Sequence, residues 1–239
     1  MPSLKPIIPR WRDWWDGLLS LLFPEYCRHC GQALNQHEQF LCRPCLSRLP
    51  ATHFENNPVN PVVQSFWGRV PVDYATSLYH FRKGEVLQNL LHQLKYRNQP
   101  EVGQLLGRIS AQRLLRCRDF PRPDCLIPVP LHPLKEKQRG YNQSLLIARG
   151  MAEVLQLPIM DQLLIRRHYK PSQTRKTRYE RWENVKDAFA LSPAHPDYTH
   201  LMLVDDVLTT GATLEACCRT LNQIPGAKIS IVTVGFASK

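Results

Sequence analysis

One stretch of fourteen residues, LMLVDDVLTTGATL at positions 201–214, constrains the fold more than any other part of the chain. Four apolar residues lead into two consecutive aspartates, Asp205 and Asp206, and a short loop then leads into a helix-like run. A buried strand followed by a loop and a helix is the building unit of a parallel α/β sheet. We therefore expect both aspartates at the carboxyl end of a strand, where such sheets bind ligands.

The loop after the aspartates has the features of a phosphate site. A helix N-terminus offers unpaired backbone N–H groups and the positive end of a dipole. Gly211 allows close approach of the backbone or a positive φ, and threonine hydroxyls can donate to phosphate oxygens. Two carboxylates before such a loop suit the hydroxyls of a ribose whose 5′-phosphate occupies it. The candidate residues are Asp205, Asp206, Thr209, Thr210, Gly211, Ala212 and Thr213.

Other interpretations of this loop are weaker. No Gly-Lys-Ser/Thr follows the glycine, which excludes a Walker A loop, and a single glycine excludes a dinucleotide-binding fingerprint. An ordinary connection with capping threonines is the remaining alternative. Adjacent carboxylates argue against it, because they repel each other unless a ligand, a metal or hydrogen-bond donors lie nearby.

A second anion site is predicted in residues 127–148, IPVPLHPLKEKQRGYNQSLLIA. A strand ends at Pro130, a basic loop with Lys135, Lys137 and Arg139 follows, and residues 142–144 open a helix. Gly140 allows a sharp turn in this loop. The alternative is a solvated loop with a helix cap.

Between the two sites lies a basic segment, RRHYKPSQTRKTRYER at positions 166–181, which we interpret as a mobile loop. It could close over a bound pyrophosphate, or it could follow a single-stranded nucleic acid with arginines on phosphates and aromatic rings on bases. A merely solvated loop is the third possibility. The candidate residues are Arg175, Lys176, Arg178 and Arg181.

Four of the eight cysteines form two CxxC pairs, Cys27 with Cys30 and Cys42 with Cys45. Two such pairs can complete a tetrahedral site of four thiolates, which is typical of structural zinc. A redox role and a lost metal site are the alternatives. The other cysteines share no spacing and are interpreted as core or surface thiols.

The net charge of +11 favours anionic partners. No apolar run approaches the ~20 residues that span a bilayer, and the acidic residues of the first helix disfavour a signal peptide. We therefore expect a cytoplasmic protein. Residues 11–23 have one apolar face, which could dock on the chain's own domain, on a partner or at the inner face of the membrane.

Strands are expected to alternate with helices, which predicts a parallel sheet flanked by helices. We expect residues 1–60 to hold the first helix and the zinc module, with residues 51–61 as a linker, and residues 61–239 to form the α/β domain. The predicted strands are 74–81, 125–130, 159–165, 201–206 and 229–234, and the predicted helices are 11–23, 85–96, 104–115, 144–155 and 214–221.

Taken in order, these motifs resemble the ComF family of phosphoribosyltransferase-like competence and DNA-utilization proteins. The resemblance rests on the CxxC pairs, Lys95-Tyr96, IPVPL, RGYNQS, SQTRKTRYERWENVKDAF and DDVLTTGAT. It implies a type I phosphoribosyltransferase core that binds phosphoribosyl pyrophosphate (PRPP) with Mg²⁺, and a zinc-binding N-terminal module.

In the related enzymes, residues that match Asp205 and Asp206 hold the ribose and stabilise an oxocarbenium-like state. Residues that match the loop hold the 5′-phosphate, and Arg139 and Gly140 would face the pyrophosphate. Two functions follow from the resemblance. One is a PRPP-binding factor for uptake or use of external DNA, with single-stranded DNA and DNA-uptake proteins as partners. The other is an active phosphoribosyltransferase on an unknown acceptor, without a DNA role.

Overall fold

The computed structural model describes residues 24–35, 38–166, 188–193 and 198–238. The chain divides into two compact units, Met1–Leu49 and Pro50–Lys239. No helix within the described residues has the length and apolar character needed to cross a membrane. The helix expected at 11–23 and most of the basic segment, residues 167–181, lie outside the described residues.

The described part of the first unit contains one short helix, α1 (Arg43–Ser47). Tyr26 and Ala33 form an antiparallel bridge, and Gly31 takes a φ of 74° in the turn between them. The carboxylate of Glu38 accepts hydrogen bonds from the backbone N–H groups of Asn35 at 2.9 Å and Arg43 at 2.6 Å. Among the described residues of this unit, Cys27, Leu41, Cys42, Cys45 and Leu49 are buried apolar residues.

The second unit is built on a parallel sheet of four strands, in the order β1-β6-β5-β2. The two inner strands, β6 and β5, consist largely of apolar residues, because helices cover both faces of a parallel sheet. An antiparallel pair, β3 with β4, lies outside it. The strands are β1 (Tyr74–His80), β2 (Cys125–Pro128), β3 (Leu164–Arg166), β4 (Phe189–Leu191), β5 (His200–Leu208) and β6 (Lys228–Phe236).

The helices of this unit confirm the predicted alternation of strands and helices. The helix that contains Gly107 and the helix that contains Gly150 pack with their backbones in direct contact. A side chain at either glycine would not fit, because a Cβ on Gly107 would lie 2.1 Å from the carbonyl oxygen of Ile147, and a Cβ on Gly150 would lie 2.0 Å from the carbonyl oxygen of Gln104. The helices are α2 (Pro61–Gln64), α3 (Val86–Tyr96), α4 (Pro100–Leu114), α5 (Pro133–Arg139), α6 (Gln143–Leu155) and α7 (Ala212–Leu221), with a 3₁₀ turn at Phe54–Asn56.

The predicted linker at 51–61 is instead part of the second unit. The buried Asn60 side chain accepts from the N–H groups of Val62 and Val63 and donates to the carbonyl oxygen of Ala75 at 2.9 Å. Glu55, which is also buried, forms an ion pair with Arg113 of α4. These contacts tie residues 55–63 to β1 and α4. The division into a zinc module of residues 1–60 and an α/β domain of residues 61–239 stays a prediction.

Three other expectations were wrong in detail. Residues 133–139 form a helix rather than a loop, because Pro133 suits its first turn and the His132 side chain accepts from the N–H of Leu134. The strand expected at 159–165 is interrupted: Ile159 bridges Leu126, and a separate strand begins at Leu164. Arg166 ends that strand and does not begin a loop.

Candidate functional site

The two adjacent carboxylates lie near the carboxyl end of β5, as expected. Asp205 Oδ1 accepts hydrogen bonds from the Ser144 hydroxyl at 2.7 Å and from the backbone N–H of Asp206 at 2.9 Å. Asp206 Oδ2 forms an ion pair with the Lys95 ammonium. The aspartates are therefore balanced by one cation and by hydroxyl and amide donors, each from a different part of the chain.

Ser144 and Lys95, the side-chain partners of the aspartates, both lie at helix ends near the edge of the sheet. Asn142 caps α6, accepting from the N–H of Ser144 at 3.0 Å and donating to the carbonyl oxygen of Val129 at 3.0 Å. Ser144 thereby lies in the first turn of α6. Lys95 lies in the last turn of α3, where the Tyr141 hydroxyl donates to the carbonyl oxygen of Leu94 at 2.6 Å. The RGYNQS and Lys95-Tyr96 motifs therefore meet at the carboxylate pair.

The electrostatics of Asp205 are unusual for an aspartate. Its burial and the negative charge of Asp206 raise its pKa to about 7. The hydrogen bonds from Ser144 and from the Asp206 backbone, together with the positive charge of Lys95, oppose this rise only in part. Asp205 therefore changes its protonation state near neutral pH. Strongly shifted groups of this kind are concentrated at functional sites.

The loop that follows β5 encloses a small pocket. Gly211 takes a φ of 76° and caps α7, so that residues 212 and 213 open the helix. The pocket has a volume of about 50 Å³, which is more than a single water molecule needs. Its walls include Asp205, Thr209, Thr210, Gly211, Ala212 and Thr213. The helix N-terminus, the threonines and one of the carboxylates thus face the same space.

A buried ion network, which the sequence analysis missed, holds this loop in place. The Glu215 carboxylate is 3% exposed and pairs with both Arg69 and Arg219. The Arg69 guanidinium also donates to the carbonyl oxygens of Thr210 at 3.2 Å and Ser65 at 2.8 Å. Glu215 and Arg219 are spaced for an i,i+4 pair, which was a usable signal. Nothing in the sequence pointed to Arg69, because it lies 146 positions before Glu215.

The predicted second anion site contains a group of cations. Arg139 ends α5 and donates to the Gln143 side chain, and Gly140 takes a φ of 85° as the cap of α5. Burial, together with the positive charges of Arg166 and Arg139, lowers the pKa of Lys135. Arg139 and Arg166 therefore both act on Lys135, and a group of positive charges of this kind suits an anion.

The four cysteines of the first unit form a cluster that can hold a metal ion. Their sulfur atoms all lie within 4.8 Å of one another, and the Cys30 and Cys42 sulfurs are 3.6 Å apart. Cys27, Cys42 and Cys45 are buried, and Cys30 is exposed. Burial works against ionisation of Cys27, but backbone N–H groups of Cys30, Cys42 and His29 lower its pKa to about 6. At neutral pH the backbone hydrogen bonds therefore favour the thiolate form of Cys27 over the thiol, even without a bound cation.

The remaining candidates divide into two sets. Cys117, Cys125, Cys217 and Cys218, which the sequence left as core or surface thiols, are all buried in the second unit and are therefore core thiols. Arg175, Lys176, Arg178 and Arg181 lie outside the described residues, so their role stays a prediction.

Comparison with known proteins places this arrangement in a family. No family model matches the chain. It is 30% identical over 209 residues to DNA utilization protein YhgH of Salmonella typhi, covering 86% of this chain and 87% of that protein. It is 28% identical over 214 residues to Competence protein F of Haemophilus influenzae, covering 87% and 83%. Competence protein ComFC of Bacillus subtilis matches at 34% over 96 residues, covering 40% and 37%. The chain belongs to the ComF family.

One solved structure is also similar, a purine phosphoribosyltransferase from Pyrococcus horikoshii Ot3. The match has 19% identity and a TM-score of 0.35, and it covers 56% of this chain and 82% of that one. A likeness of this size is too slight to assign an activity.

The shifted pKa of Asp205 leads to a prediction about stability. A folded-state pKa near 7, compared with about 3.9 in an unfolded chain, means that the folded protein binds more protons between pH 4 and 7. Wild-type stability therefore falls across this range as the pH rises. Asp205→Asn keeps an acceptor for Ser144 and removes this penalty, so we expect the variant to melt several degrees above wild type at pH 8, with a smaller gain at pH 5.

Thermal unfolding at both pH values measures the effect, with the exposed Asp119→Asn as the control for loss of a carboxylate. An equal rise in the melting temperature of Asp205→Asn at pH 5 and at pH 8 would contradict the raised pKa of Asp205.

Proposed function

We propose that this protein binds PRPP or a related ribose phosphate together with Mg²⁺, and that it acts in the uptake or use of external DNA. The observation that carries the proposal is the meeting of a carboxylate pair and a glycine-capped helix N-terminus at one edge of a parallel sheet. In this proposal, Asp205 and Asp206 hold the ribose hydroxyls. Thr209, Thr210, Gly211, Ala212 and Thr213 surround the 5′-phosphate, and Arg139 and Gly140 face the pyrophosphate.

The residues present suit this ligand. Carboxylate oxygens accept from two neighbouring hydroxyls, and the backbone N–H groups at the start of α7 suit a phosphate. When bound, Mg²⁺, a hard cation that prefers oxygen ligands, would neutralise negative charge of the pyrophosphate group. Lys95 already neutralises Asp206, so that the site can receive a polyanion without two unbalanced carboxylates.

An active phosphoribosyltransferase is the second candidate, and the pKa of Asp205 favours it. A carboxyl group with a pKa of about 7 can take up a proton at neutral pH, which an incoming N–H acceptor would have to release. The two carboxylates would also stabilise positive charge that develops at C1 of the ribose.

The DNA role in this proposal rests on relatives and on charge. Proteins named for competence and for DNA utilization match most of the chain. The net charge of +11 suits a polyanionic partner. We place the protein in the cytoplasm, where thiolates stay reduced and available for a metal.

Zinc is the ion that we propose for the cysteine cluster. A zinc–sulfur bond of about 2.3 Å gives tetrahedral edges of about 3.8 Å, close to the 3.6 Å between the Cys30 and Cys42 sulfurs. Four thiolates leave no open position for a substrate, so that the ion would be structural. The free energy of binding the ion would contribute to the folding of this unit.

Replacing one ligand tests this assignment. We expect wild-type protein to retain stoichiometric zinc through gel filtration and Cys45→Ser to lose most of it, as measured by plasma mass spectrometry. Cys117→Ser, a buried thiol of the second unit, is the control and should retain the ion. Zinc at the wild-type level in Cys45→Ser would contradict the assignment.

Calorimetry tests the ribose-phosphate site. Zinc-loaded protein is titrated with PRPP in the presence and absence of Mg²⁺. We expect magnesium-dependent binding that weakens by about 100-fold or more in Asp205→Ala/Asp206→Ala, because hydrogen bonds to charged groups are lost. Asp119→Ala/Asp161→Ala, which removes two exposed carboxylates, should bind like wild type. Absence of binding by folded wild-type protein would overturn this part of the proposal and leave the DNA role as the main one.

Salt dependence tests the DNA role. We expect the affinity for single-stranded DNA to fall steeply with salt, and Arg175→Ala/Arg178→Ala to flatten the logarithmic slope by about 1.4, as two lost phosphate contacts require. Arg116→Ala/Arg118→Ala removes two exposed arginines elsewhere in the chain and is the matched control. Binding that is absent or insensitive to salt would count against the role.

A further inference from the structure

An exposed tyrosine follows the lysine that pairs with one of the two carboxylates. Tyr96 is 68% exposed, although it follows Lys95, whose ammonium contacts Asp206. Large aromatic side chains at a ligand site usually bury most of their ring area once the ligand is bound. The exposed ring is therefore available to a ligand that also reaches the carboxylates.

Contacts on both sides hold this ring in position. The carbonyl oxygen of Leu94, two residues before Tyr96, accepts a hydrogen bond from Tyr141, and Lys95 is paired with Asp206. The guanidinium of Arg139 lies 5.8 Å from the centre of the Tyr96 ring. The His92 ring, one helical turn earlier, lies 5.0 Å away at an angle of 47°. Tyr96 is thus fixed on a helix, which suits a binding surface better than a freely moving side chain does.

The surroundings of the ring indicate the chemistry of its ligand. Its neighbours are polar or cationic: His92, Lys95, Arg97 and Arg139. A protein partner would need a broader apolar patch around the ring. A single aromatic ring among cations suits a planar base that is linked to phosphates, because every base has a face that stacks on an aromatic ring.

We propose that Tyr96 is a stacking platform for a nucleobase, next to the ribose-phosphate site. The proposal rests on the proposed function, since the carboxylates would hold the sugar to which the base is attached. The base can belong to a nucleoside monophosphate or to a single strand of DNA. Both sources present the same flat ring and the same phosphate chemistry.

Calorimetric titrations of the full, zinc-loaded chain separate the base from the sugar. The probes are ribose 5-phosphate, adenosine 5′-monophosphate and a single-stranded oligonucleotide. We expect Tyr96→Ala to weaken binding of at least one base-containing probe by about 5- to 100-fold and to leave ribose 5-phosphate unchanged. Tyr96→Phe keeps the ring and should bind like wild type. Tyr26→Ala, an exposed tyrosine of the first unit, is the control.

Each outcome decides the proposal. A loss confined to the monophosphate or to the oligonucleotide supports the platform and identifies the source of the base. Unchanged binding of both, or an equal loss for ribose 5-phosphate, overturns it. If wild type binds neither ribose 5-phosphate nor the monophosphate, the proposed PRPP site fails, and the oligonucleotide series alone decides the platform. Absence of oligonucleotide binding would then overturn the platform as well.

Discussion

Two carboxylates on consecutive residues repel each other, and Asp205 and Asp206 do so where the sheet already shields them from water. Three separate parts of the chain respond to this repulsion: Lys95 from α3, Ser144 from α6 and the backbone of β5 itself. β1 ends at the carboxyl edge of the sheet, and the end of the following helix, α3, also lies near this edge, since Lys95 reaches Asp206. The helix ends that meet at this edge thus supply the partners of the acidic pair.

The loop beside the pair is fixed by a different balance of charge. Glu215 is buried in the first turn of α7 and receives two guanidinium groups, one of which also holds the Thr210 carbonyl. A buried carboxylate with a single partner would be costly, whereas two arginines satisfy its oxygens. Side chains of the protein itself therefore hold the loop in its conformation. Binding would then require little ordering of the backbone, which lowers the entropic cost of a small anionic ligand.

The sequence predicted those features that depend on local patterns. Apolar runs located β1, β2, β5 and β6, and the Asp205-Asp206 pair was correctly expected at a strand end. The start of α4 at Pro100 and the whole of α5 were missed, although proline in a first turn was a readable signal for both. The pairing of Arg69 with Glu215 was beyond prediction, because it depends on the packing of two distant segments. The same holds for Glu55 and Asn60, whose polar types suggested a linker until their buried partners were known.

Two groups of opposite charge have pKa values shifted in opposite directions near this edge of the sheet. Burial and a neighbouring carboxylate make Asp205 easier to protonate, and burial and neighbouring arginines make Lys135 easier to deprotonate. In each case the surroundings of the group disfavour its charged form. A cation at the carboxylates and an anion among Lys135, Arg139 and Arg166 would relieve both, and a magnesium-bound pyrophosphate ester of ribose carries both charges in one molecule. Such a ligand is the one proposed above for this site, and it would supply a partner of opposite charge to each group.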